Sequence, residues 1–145
     1  MRRVNSMALP VCLTLLAPFA AVGEEAKGQS VTVTGEVVDA ACYMIHPQSA
    51  TGPAHKECAK ACADRGVPLA ILNDSDKKLY FPSKGNNELD KFIGRRVRAT
   101  GNALDQADPM ELSMPVGEKN KLSVKVEGGY KLLTIASIAK SSRAK

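Results

Sequence analysis

Val31-Thr32-Val33-Thr34-Gly35-Glu36-Val37-Val38 is the stretch on which the fold turns. Valine and threonine fill all but two of its positions, and its first half alternates apolar and polar residues. That period of two predicts a strand with one face toward a core. Working outward, Leu69–Leu72 and Lys78–Phe81 read as two further strands. Asn73-Asp74-Ser75-Asp76 turns the chain between them, as a hairpin requires. Arg95–Asn102 alternates charged and small residues like a half-exposed strand. Leu122–Val126 and Tyr130–Ile138 complete the β set. Ala40–Ala54 carries Pro47, Gly52 and Pro53 and reads as a loop. His55–Arg65 reads as a short helix stopped by Gly66 and Pro68. Asn87–Phe92 could form one or two helical turns, and Gln106–Asn120, with two prolines and a glycine, reads as a long loop.

Five or six short strands with one small helix predict a mainly β fold, a five- or six-stranded barrel. Val33-Thr34-Gly35-Glu36-Val37-Val38, Gly94-Arg95-Arg96-Val97-Arg98-Ala99-Thr100-Gly101 and Tyr130-Lys131-Leu132-Leu133-Thr134-Ile135 resemble the first, fourth and fifth strands of OB-fold barrels. The likeness is in particular to the small secreted OB-like proteins of bacteria. It covers most of residues 31–139 and implies an OB-like domain there. The helix at 55–65, between strands 1 and 2, departs from that pattern. Fold likeness of this kind names no function.

The chain has 145 residues and a formal net charge of +5, with ordinary hydrophobic and charged fractions of 44% and 24%. Collagen-like, coiled-coil and wholly disordered classes are excluded. Its N-terminus reads as a signal peptide over residues 1–23. Arg2-Arg3 start it, an apolar run from Met7 to Val22 follows, and small residues precede a cut after Gly23. That run is too short, and too rich in proline, for a spanning helix of about 20 residues. Residues 24–30 read as a flexible leader and 140–145 as a basic tail. Cleavage removes Arg2, Arg3 and Cys12, so the charge falls to +3 and four cysteines become three. The expected location is the periplasm or the exterior, with no transmembrane segment left. A charge of +3 and few clustered aromatics argue against nucleic acid as a partner.

Three cysteines in an oxidising compartment leave at least one thiol unpaired. At about 100° per residue, His55, Cys58 and Cys62 fall on one narrow helical stripe. Lys56, Glu57, Lys60 and Asp64 fall on the opposite arc. The helix thus presents a His/Cys/Cys face where an ordinary one would present leucine. Cys42 can join this face from the loop after strand 1, giving three sulfurs and one imidazole. That set suits copper(I) or zinc in tetrahedral coordination. His46 is a spare nitrogen ligand on the same loop, and Met44, Met110 and Met114 offer thioethers.

Three readings follow. The first is an exported, non-enzymatic protein binding copper or zinc through Cys42, His55, Cys58 and Cys62. In the second, a disulfide from Cys42 to Cys58 or Cys62 staples an OB-like module that binds a cell-envelope protein or another ligand. The third is thiol–disulfide exchange, which needs a thiolate of low pKa, with His55, Lys56 and the helix N-terminus as the electropositive setting for Cys58. Asp39, Asp64 and Asp74 form no carboxylate pair for acid–base work. Neither a phosphate-binding glycine loop nor a Gly-x-Ser-x-Gly elbow is present.

Overall fold

The computed structural model describes residues 28–142. The signal peptide expected over residues 1–23 lies outside them. Strand β1 runs from Gln29 to Asp39. Val33 and Val37 point into a buried cluster, while Thr32, Thr34 and Glu36 face outward. The strand bends as it changes partners. Gln29–Glu36 pair with β4 (Arg96–Gln106), and Gly35–Asp39 pair with β2 (Leu69–Asn73). Gly35 pairs on both sides at the crossover. A Cβ there would collide with the Leu72 carbonyl, so only glycine fits this close approach.

Strand β2 turns antiparallel into β3 (Leu79–Pro82), which runs parallel to β7 (Tyr130–Lys140). Strand β7 pairs antiparallel with β4, with a register shift at Thr100/Gly101. The sheet closes as β1-β2-β3-β7-β4. The mainly β, OB-like barrel expected from the sequence is the fold observed.

The barrel interior holds Val33, Val37, Leu69, Ile71, Tyr80, Val97 and Leu133. Leu89, Phe92 and Ile93 join them from two 3₁₀ turns between β3 and β4. A second cluster lies on the outer face of β2 and β3 and includes Ala70, Leu79 and Phe81. Two insertions cover it. One is helix α1 (Ala40–Ile45), and the other is a hairpin of β5 (Met110–Val116) and β6 (Asn120–Val126). Tyr130 meets Phe81 edge to face there, with ring centroids 5.5 Å apart.

The two insertions hold more structure than expected: α1 and β5 form where loops were expected, while β6 covers the strand expected over Leu122–Val126. In the first, Asp39 caps α1 by accepting a hydrogen bond from the Cys42 amide at 3.1 Å. In the second, β5 and β6 form a sheet of their own, where Pro115 is tolerated because a two-stranded ribbon leaves amides unpaired. The barrel's boundaries also run further than expected, with β1 beginning at Gln29 and β7 ending at Lys140.

Candidate metal centre

Helix α2 (Lys56–Asp64) follows a 3₁₀ turn, Pro53–His55, and ends at Gly66, whose φ of 90° suits glycine. Its buried residue is Ala59, packed with half-buried Ala63 against the barrel interior. The cysteine stripe is therefore not the inward face, as the helical wheel led one to expect. Two alanines let the helix approach the barrel closely, and the cysteines flank them. Cys58 is exposed, while Cys62 is half-buried against the second cluster. The loop before the helix is anchored where Glu36 Oε1 accepts a hydrogen bond from the Gly52 amide.

Cys42 reaches the same place from the first turn of α1. Its position is set by the strand that ends one residue before the helix. The Sγ atoms of Cys42, Cys58 and Cys62 all lie within 4.8 Å of one another. They are free thiols, and no disulfide at bonding distance joins them, so the expected staple is not formed in this structure. Sulfurs about a metal at roughly 2.3 Å stand a little under 4 Å apart in a tetrahedron, so this spacing suits a shared ion.

A second group overlaps the first. An Asp39 carboxylate oxygen, Cys42 Sγ and a His55 ring nitrogen also lie within 4.8 Å of one another. His55 thus joins Cys42 and Asp39, beside the three-sulfur group. His46 stands in neither group. It is exposed at the end of α1, where its amide donates to the Cys42 carbonyl at 2.8 Å.

Asp39 is the residue the sequence reading missed. It is 0% exposed, and its Oδ2 has no hydrogen-bond partner among the described residues. The same holds for buried Nε2 of His55. The sign that could have revealed Asp39 is its place before Ala40-Ala41, an N-cap signature. By sequence alone Met114 is one thioether among three. In the structure the Cys42 thiol donates to Met114 Sδ at 3.6 Å, which ties the β5–β6 hairpin to the site. Met44 is exposed on α1, and Met110 packs at the edge of the second cluster.

Burial pushes the Cys42 thiol well above the usual cysteine range, and the neighbouring Asp39 carboxylate pushes it the same way. Cys62 is pushed up to about 12 by burial first and then by Asp39. Metal uptake must therefore displace protons from these thiols, and affinity falls as pH falls. Cys42 and Cys62 are therefore the reverse of what an exchange nucleophile needs.

A groove of about 430 Å³ opens beside α1, lined by Tyr43, Met44, Lys77, Lys78 and Tyr130, but no sulfur of the cysteine group faces it. Among the described residues no helix is long and apolar enough to cross a membrane. The site's donors are soft and borderline and are gathered in a space that suits an ion. The chain matches no protein-family model, no curated protein and no solved structure.

Proposed function

We propose that this is an exported, non-enzymatic protein that holds a transition metal, copper(I) or zinc, on Cys42, Cys58 and Cys62, with His55 as the neighbouring nitrogen donor. The observation that carries this reading is the convergence of three free thiols within 4.8 Å, from two helices that share no local sequence. Three soft sulfurs match the ligand preference of copper(I) and are equally suited to zinc. Met114, against Cys42, adds a thioether on the same side. Exposed Cys58 keeps one edge of the group open to solvent, so an ion can enter without the barrel opening.

Competition of the reduced protein against a chromophoric chelator tests it. Copper(I) or zinc should be withdrawn from the chelator by the wild type. Cys58→Ala and Cys62→Ala should each weaken binding by about 100-fold or more, since each removes a direct ligand. Failure to compete for either metal refutes the reading.

A further inference from the structure

The three-cysteine group leaves two features unused. The carboxylate of Asp39 is wholly buried, yet its Oδ2 has no partner among the described residues. Nε2 of His55 is likewise buried and unpartnered. Buried polar atoms without partners each cost roughly 1–3 kcal/mol, and more when charged. Both residues converge on the Sγ of Cys42, the atom that the three-sulfur group also uses.

We infer that the site is a binuclear zinc centre in which the Cys42 thiolate bridges two ions. One ion is held by Cys42, Cys58 and Cys62, and the other by Asp39, Cys42 and His55. The inference rests on the three-cysteine site proposed above and extends it to a second ion.

Charge decides between one ion and two. Three thiolates and one carboxylate carry four negative charges, and neutral imidazole adds none. A single zinc ion leaves two negative charges uncompensated beside a fully buried carboxylate, an arrangement that low-dielectric surroundings penalise heavily. Two zinc ions balance the set. Copper(I) balances it poorly, since two monovalent ions still leave two negative charges. The donors divide in the same way. The second group, one carboxylate, one imidazole and one thiolate, is a mixed oxygen, nitrogen and sulfur set of the kind zinc accepts. Each ion then has three protein ligands.

The backbone already prepares the second position. Asp39 Oδ1 is fixed by the Cys42 amide at 3.1 Å, and this cap bond orients the carboxylate and leaves Oδ2 free. Asp39 closes strand β1, where it pairs with Leu69, so the ligand stands on the barrel wall.

Zinc stoichiometry of the reduced chain, read by native mass spectrometry after removal of loosely held metal, tests this directly. Wild type should retain two zinc ions per chain. Asp39→Asn should retain one, because asparagine caps a helix as well as aspartate and removes only the anionic ligand. His55→Gln should also retain one. Circular dichroism of the metal-free variants, matching wild type, shows that the helices persist. Two zinc ions in either variant overturns the inference. A wild-type stoichiometry of one overturns it and leaves the three-cysteine reading standing. A wild type that binds none overturns both.

Discussion

Inside the barrel, Leu69, Ile71, Val97 and Leu133 meet side chains of similar size from every strand. Outside it, the second cluster joins Val38, Ala70 and Leu79 of the barrel wall to Ala40 and Ala41 of α1, to Leu112 and Val126 of the hairpin, and to the aromatic pair Phe81–Tyr130. The first is a large-residue core enclosed by hydrogen-bonded strands. The second is a layer between the outer face of the sheet and two insertions that share no hydrogen-bonded ladder with it. The difference teaches where chemistry can be placed. Ala40 and Ala41 bring α1, and Ala59 and Ala63 bring α2, close to the barrel, and at that margin the thiols and Asp39 gather. The interior cluster contains no titratable group except Tyr80, whose hydroxyl reaches out to Asp76 at 3.0 Å.

The sharpest way to break this comparison is at the barrel's own joint. Gly35→Val should abolish folding, because a side chain there meets the Leu72 backbone and not a flexible group. Circular dichroism of the purified or refolded variant would show loss of strand structure, and native spectra would contradict the account. Next in size come paired core truncations. Leu133→Ala, at 0% exposure inside the barrel, should lose about 3–5 kcal/mol in denaturant unfolding. Leu112→Ala, at 1% exposure under the hairpin, should lose about 2–3 kcal/mol, because a two-stranded ribbon can settle onto the space left. Equal losses would show that the hairpin is as rigid as the barrel.

The site can be probed by pH. Cys62 is raised in the folded protein from 9.0 to about 12. The native state therefore binds more protons than the unfolded state between those values, and stability falls as pH rises through them. Metal-free wild type should lose thermal stability from about pH 9 upward more steeply than Cys62→Ser, which has no thiol to titrate there. Tyr80 is also raised, but it is common to both proteins and cancels. Parallel pH profiles would remove Cys62 from the buried margin. The smallest effect belongs to Met114→Leu, which conserves volume and should change stability by less than about 1.5 kcal/mol. It should still weaken copper(I) binding measurably while leaving zinc binding unchanged. An equal effect on both metals would make Met114 a packing residue alone.

How much of this was legible before the structure depends on whether the deciding contacts were local. Strands β1, β4 and β7 announce themselves through β-branched alternation, and the cysteine stripe follows from helical spacing. Strands β2 and β3 were readable as short apolar runs, and they lack clean alternation because both of their faces are covered. Leu69 and Ile71 face the interior, while Ala70 faces the outer cluster. In the two insertions, α1 and β5 were hidden, while β6 was readable over Leu122–Val126. Helix α1 is six residues long and ends just before Pro47, so the proline dominated its reading. Strand β5 contains Pro115 and buries Leu112 alone, leaving a weak apolar pattern. Asp39 was hidden for a different reason. Its importance comes from His55 and Cys42 arriving beside it, and no spacing rule relates residue 39 to residue 55.

The parallel pairing of β3 with β7 has a consequence for the order of events during folding. Closing the barrel requires Tyr80–Pro82 to find Lys131–Leu133, across some fifty intervening residues. Such distant contacts form late, because the chain between them must surrender its freedom first. The donors from Asp39 to Cys62 occupy one short stretch, held at its ends by the neighbouring β1–β2 pair. That stretch closes over a far shorter loop, so the donors can gather before the last strand is laid.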